Sequence, residues 1–132
     1  LWVAGSVQNA KVLKPGGTEP QLRGKEIDHT PDFIFSAGVD YQFTPRFRSS
    51  VWAYAQGDYY PERTNATDQF GDYVTLNLSL AWQATRQLEL ELQLRNLTDE
   101  YYEYVWHDGT QTLHSPADER AVFGAVNFRF DY

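Results

Sequence analysis

The chain of 132 residues contains no cysteine and no methionine. The missing cysteines exclude a disulfide framework, although they do not fix the redox compartment. Long apolar runs are also missing. No stretch approaches the roughly 18 apolar residues of a membrane-spanning helix, so any membrane role falls to strands. Positive charge is scarce: 11 Lys and Arg against 18 Asp and Glu leave a net charge of −7. That excludes the basic surface a nucleic-acid partner requires. No catalytic constellation is present either, and the chain does not read as an enzyme. His29, His107 and His114 fall in separate loops without metal-ligand spacing. Glu89 and Glu91 imitate an acid/base pair, but two residues apart on one strand face they read as solvated or ion-paired carboxylates. No metal or cofactor is implied.

What the chain has instead is aromatic content and alternation. Aromatic residues make up 16% of it, with nine Tyr and eight Phe against four Trp. Apolar residues reach 42% while the mean hydropathy is only −0.57, so they are dispersed between polar ones. The run Leu88-Glu89-Leu90-Glu91-Leu92-Gln93-Leu94-Arg95 shows the pattern most plainly. Successive side chains of a strand point to opposite faces, so its leucines form an apolar face and its charged residues a polar one.

The same logic yields about six long strands in an antiparallel up-and-down meander. They are expected near residues 2–12, 32–43, 46–58, 72–82, 88–95 and 121–130. Thr44-Pro45 and Ala84-Thr85-Arg86 make short turns. The other connections are long and polar: one rich in Pro and Gly up to about Thr30, one over 60–71, and one from Asp99 to Asp118. Many acids lie in these loops, among them Glu100, Glu103, Asp108 and Glu119, as expected of solvated segments.

Strands near ten residues suit a tilted membrane crossing, which takes about 9–11, better than the usual globular length of about 5–6. Short turns at one end, long loops at the other and a polar inner face are the pattern of an outer-membrane β-barrel. Two aromatic belts are expected. One holds Tyr41, Phe43, Phe47, Trp82, Phe128 and Phe130 at the short-turn end; the other holds Tyr59, Tyr60, Phe70, Tyr73, Tyr101 and Tyr102 at the loop end. A competing reading is a soluble all-β sandwich that binds a ligand or carbohydrate through the same loop aromatics, since its buried faces would alternate too.

The end of the chain resembles TonB-dependent outer-membrane receptors. Their penultimate strand closes on Asn-Leu-Phe-Asp-x-x-Tyr-Tyr. Here that stands as Asn96-Leu97-Thr98-Asp99-Glu100-Tyr101-Tyr102, with Thr98 in place of Phe and the tyrosine pair one place early. Their last strand starts near an Arg and ends on alternating aromatics, as Arg120 to Phe130 does. Gly24-Lys25-Glu26-Ile27-Asp28-His29-Thr30-Pro31 is similar to the family's re-entry from loop to strand. The family has Gly where Ala125 stands, and the chain continues to Asp131-Tyr132, so Phe130 or Tyr132 is the terminal aromatic.

The resemblance implies a barrel of about 22 strands, plugged by an N-terminal domain. It sits in the outer membrane of a Gram-negative bacterium, surrounded by lipid. Such a receptor imports a ferric siderophore, cobalamin or a similarly scarce ligand with energy from the TonB complex. The chain opens on Leu1-Trp2-Val3 within a strand and without a signal-peptide pattern. It therefore reads as a piece of a longer protein: residues 1–132 as a C-terminal barrel segment, without plug or TonB-binding part. Candidate ligand contacts are the loop residues Tyr59, Tyr60, Tyr101, Tyr104, Trp106 and His107, which offer stacking faces and hydrogen-bonding ends. Val126, Phe128, Phe130 and Tyr132 are the candidate barrel-assembly signal. Asn96 and Asp99 are expected to shape the strand-to-loop transition. Produced alone, the segment is expected to self-associate through its edge strands.

Overall fold

The computed structural model describes residues 1–130. In chain order the strands are β1 (Trp2–Val7), β2 (Phe33–Thr44), β3 (Phe47–Gln56), β4 (Tyr73–Gln83), β5 (Leu88–Arg95), β6 (Glu103–His107), β7 (Thr112–Pro116) and β8 (Ala121–Phe128). Six of them form one antiparallel sheet in the order β1-β2-β3-β4-β5-β8, while β6 and β7 pair separately as a hairpin within the last long loop. A single 3₁₀ turn, Pro20–Leu22, is the only helical element among the described residues.

Register follows the alternation in the sequence. Val51 pairs with Val39 and Leu78, Leu80 with Ser49 and Leu92, and Leu90 with Trp82 and Val126, which assembles one continuous apolar face. Facing residues lie on the same side of an antiparallel sheet. The other face carries Asp40, Arg48, Ser50, Thr75, Asn77, Ser79, Glu89, Glu91 and Gln93.

Burial is inverted relative to a water-soluble sheet. On the apolar face Val39, Val74 and Val126 are 47%, 57% and 70% exposed, while on the polar face Thr75 and Asn77 are only 7% and 8% exposed. A soluble sandwich buries the apolar face under a second sheet. Among the described residues no second sheet covers it, so the sandwich reading does not hold.

The polar face is held by its own contacts. Arg48 reaches across β4 to Glu89 with two bonds of 2.8 and 3.2 Å and approaches Glu91 at 3.5 Å. The residue between them is Ala81, whose small side chain leaves the guanidinium room to lie flat. The glutamates thus meet a cation instead of an apolar layer.

Several boundaries differ from the sequence reading. The first strand stops at Val7, not Val12, although pairing continues irregularly beyond it. Gln8 N–H donates to Asp32, Ile27 N–H to Ala10 and Val12 N–H to Lys25, so the ladder drifts out of strand geometry without ending. The third and last strands close earlier, at Gln56 and Phe128. The segment from Asp99 to Asp118 is not plain loop, because β6 and β7 form within it.

The aromatic belt at the short-turn end is present: Tyr41 meets Phe43 edge-on, Phe43 lies tilted on Phe47, and Phe128 meets Phe130 edge-on, at centroid distances of 4.7–5.4 Å, with the exposed Trp82 opposite Phe47. The belt expected at the loop end is not. Tyr73 sits on the polar face opposite Gln56 and stacks on Tyr102 at 4.1 Å, Phe70 meets His114 edge-on, and Tyr59 is buried. Those rings pack loops onto the sheet. Of the candidate assembly residues, Val126 and Phe128 lie opposite Leu90 and Leu88 on the apolar face, and Phe130 meets Phe128 edge-on. Tyr132 lies outside the described residues.

Candidate functional site

Three long connections converge at one end of the sheet: residues 8–32, 57–72 and 96–120. Their convergence is held by hydrogen bonds between distant segments. Asn65 takes the N–H of Glu26 at 2.6 Å and returns a bond to its carbonyl at 3.1 Å, His29 N–H donates to Tyr60 O, and Arg63 pairs with Glu19 at 3.2 Å.

The strand-to-loop transition at Asn96 explains how the third connection leaves the sheet. Asn96 and Asp99 both take positive φ, 50° and 57°, which short polar side chains tolerate. The Asn96 side chain accepts from Glu100 N–H and donates to Glu100 O at 2.8 Å, while Asp99 accepts Arg120 N–H at 3.0 Å. The mid-strand Asn77 accepts the buried N–H of Asn96 at 3.1 Å. That role had no signal in the sequence beyond a polar residue on the polar face.

From there the β6–β7 hairpin folds back over the polar face. Its ladder fixes which backbone groups look outward. Ala117 N–H donates to Tyr102 O and Asp108 N–H to Gln111 O. Hydrogen-bonded and non-hydrogen-bonded pairs alternate along an antiparallel ladder, so Val105 and His107 belong to the second kind and turn their backbone groups away from β7. The second connection meets them there. The Tyr59 hydroxyl accepts Val105 N–H at 3.0 Å and donates to Val105 O at 3.3 Å, and Pro61 O accepts His107 N–H at 3.1 Å. Tyr59 acts as a substitute strand for the hairpin's free edge. Gly71, at φ +93°, makes room for it, since a Cβ there would lie 2.3 Å from the Tyr59 ring.

At the far end the hairpin turns on Asp108. Its carboxylate accepts Gln111 N–H and Thr110 N–H at 2.9 Å and the Thr110 hydroxyl at 2.7 Å. These donors, the Gln111 amide foremost, hold its pKa down at about 2.

The sequence-expected contact residues separate into two groups. Tyr104 and Trp106 share one face of β6, both exposed, and with His29, Ile34 and Gln56 they line a cavity of about 330 Å³. Tyr59 contributes its ring to the wall of that cavity, but its hydroxyl is already used by Val105. His107 lies apart, lining a second cavity of about 470 Å³ with Glu62, Arg63 and Asp28, and its Nδ1 lies 3.2 Å from the Thr112 hydroxyl. Tyr60 lends its backbone carbonyl to His29, and Tyr101 is exposed with its hydroxyl donating to Glu103 at 3.1 Å. That bond, ahead of desolvation, raises the Tyr101 pKa.

Burial raises the pKa of Tyr102, whose ring meets that of Tyr104 edge-on at 6.3 Å. Five residues of the cavity were missed in the sequence, among them His29, Ile34 and Gln56. Those three come from a re-entrant loop and from two strands of the polar face, and only the sheet register places them beside Trp106.

Comparison with known proteins agrees with this architecture. The family model for the TonB dependent receptor-like β-barrel matches residues 2–97. No curated protein matches the chain. Among solved structures, the unliganded ferric citrate transporter FecA superposes on 97% of the chain with a TM-score of 0.83 at 16% identity. The siderophore receptor PiuA from Acinetobacter baumannii covers 81% at TM-score 0.71 and 21% identity. The ferric yersiniabactin uptake receptor FyuA from Yersinia pestis covers 84% at TM-score 0.69 and 24% identity. The chain spans only 20%, 15% and 18% of those three proteins respectively. Matched over most of its length by the family model and folded as an inside-out meander, the chain belongs to the TonB-dependent receptor β-barrel family.

Proposed function

We propose that this chain forms one sector of an outer-membrane receptor that captures a ferric siderophore or similar iron chelate and admits it with TonB-transduced energy. The observation that carries this reading is the gathering of all three long connections at one end of the sheet, around an aromatic cavity open to the polar face. The apolar face, exposed where a soluble protein would be covered, is the side that meets lipid, and the polar face lines the lumen. A plug and a TonB-contacting segment would belong to the rest of the receptor. Val126, Phe128 and Phe130, on or beside the apolar face, fit the role of an assembly signal read at the barrel's closing strand.

Tyr104 and Trp106 are the ligand contacts this reading favours, because both are exposed, share one face and border the cavity. The test is iron uptake by a strain whose only receptor carries this sector. Replacing Tyr104 and Trp106 with Ala should depress uptake, while Leu90→Ala on the lipid face should not. Equal uptake by wild type and the loop variant, at matched receptor levels, would remove this cavity from the pathway.

A further inference from the structure

The cavity beside Trp106 has a chemistry narrower than iron chelates in general. None of its lining residues carries a fixed charge; they are aromatic, aliphatic or amide side chains and one imidazole. Its free polar groups are the Trp106 indole, a donor; the Tyr104 hydroxyl, which donates or accepts; and the outer nitrogen of His29. Among the described residues no hydrogen bond occupies the Trp106 Nε1–H or the Tyr104 hydroxyl, and His29 engages only Nδ1, at 3.3 Å from Asp28. Among the described residues no guanidinium or ammonium lines this wall to receive an anionic ligand.

The surroundings are negative. The three long connections hold 14 of the 18 Asp and Glu but only six of the 11 Lys and Arg. Three of those six cations are already paired, Lys11 with Glu26, Arg63 with Glu19 and Arg120 with Asp99. The other three, Lys14, Arg23 and Lys25, do not line the cavity, and Arg46, Arg86 and Arg129 lie at the opposite end of the sheet. An approaching polyanion therefore meets like charge at the mouth and no compensating cation in the cavity. Exposed charges act over about 8 Å at physiological ionic strength, which is within reach of Asp28 and Asp58, the sequence neighbours of His29 and Tyr59.

We infer that this cavity takes an uncharged or cationic ligand surface: an apolar or aromatic group stacked on Trp106 and Tyr104, with neutral carbonyl or hydroxyl oxygens accepting from the indole and the phenol. A ligand hydroxyl or N–H donates to Nε2 of His29, whose Nδ1–H faces Asp28. Resting on the iron-chelate reading above, this makes the preferred ligand a neutral or cationic chelate, such as a hydroxamate complex, over polyanionic ones. Aromatic stacking supplies the attraction and the hydrogen bonds fix the orientation. The acidic rim supplies discrimination by repulsion.

The experiment uses the full-length receptor in detergent, titrated with two probes, a ferric trihydroxamate and a ferric tris-catecholate, with bound radio-iron as the readout. The trihydroxamate should bind at least roughly tenfold tighter at low salt, and the gap should narrow as salt is added. Trp106→Ala should weaken the trihydroxamate at least about fivefold. Asp28→Asn with Asp58→Asn should tighten the tris-catecholate several-fold, to roughly within a factor of three of the trihydroxamate, which itself stays unchanged. Heat-modifiable mobility on gels confirms that each variant is a folded barrel. Equal or tighter binding of the tris-catecholate by wild type, or a gap indifferent to both salt and the double substitution, overturns the inference while leaving the receptor reading intact. Binding of neither probe also overturns the inference, while the receptor reading stands or falls on the uptake assay above.

Discussion

Tyr59→Phe isolates the contact that joins the second and third loops. The substitution keeps the buried ring beside Gly71 and removes only the hydroxyl, which serves both backbone groups of Val105. Val105 is 1% exposed, so water does not replace what is lost. Leaving buried polar groups without partners costs about 1–3 kcal/mol. Because those groups lie on the outer edge of β6, the cost falls on the hairpin's docking and not on the sheet, whose ladders are untouched.

The assay is amide hydrogen exchange on the folded receptor. The Val105 amide should exchange roughly 5- to 150-fold faster in the variant, and the His107 amide, held by Pro61 in the same seam, should follow. Amides in the centre of β3 and β4 should exchange as in wild type. An unchanged Val105 amide would refute the view that Tyr59 acts as a substitute strand. Equal acceleration throughout the sheet would show that hairpin and barrel open as one unit.

Three further outcomes follow from the same geometry. Leu92→Arg, at mid-strand on the apolar face between Leu80 and Gly124, should destabilise folding into liposomes by about 2–4 kcal/mol, whereas Gln93→Arg on the polar face should be near neutral. Urea titration of the two variants checks the assignment of faces. Glu62 accepts the N–H groups of Thr64, Ala66 and Thr67 and the Thr64 hydroxyl; burial pushes its pKa up, but these bonds outweigh it and the net direction is down. A depressed folded value stabilises the loop above the ordinary carboxylate pKa and is lost as pH falls through the folded value. Pepsin should therefore cut within residues 62–67 of wild type only at the acid extreme, while Glu62→Gln should be cut throughout pepsin's working range. The 132-residue polypeptide produced alone should self-associate in detergent-free buffer, because β1 and β8 are sheet edges and the apolar face is uncovered; a stable monomer by light scattering would count against it.

The sheet was legible because its determinants are local. Leu88 to Arg95 states its faces within eight residues, and the tight turns after Thr44 and Gln83 fix the register of their hairpins. Once those phases are set, even the irregular third strand falls into place, with Ser49 on the apolar face between Tyr41 and Leu80. The errors lie where pairing persists without regular alternation, as beyond Val7, and where a short hairpin hides in a polar loop. Glu103 to His107 runs Tyr104, Val105 and Trp106 together without alternation, and Thr112 to Pro116 has only Leu113, so neither announces a strand.

The site was legible in its residue types but not in its assembly. Tyr104, Trp106 and His107 read as one cluster of candidate contacts, yet the strand divides them: Tyr104 and Trp106 stay exposed beside the cavity, His107 lines another, and Val105 between them is buried against Tyr59. The same division explains why Tyr59, equal to Tyr104 in composition, has a different task. It approaches the side of β6 on which backbone groups are unsatisfied, so its hydroxyl is consumed in holding the loops together. Tyr104 points from the next residue to the opposite face, where no partner takes its hydroxyl. One residue of phase on a five-residue strand thus decides which tyrosine builds the mouth and which is left free to meet what enters it.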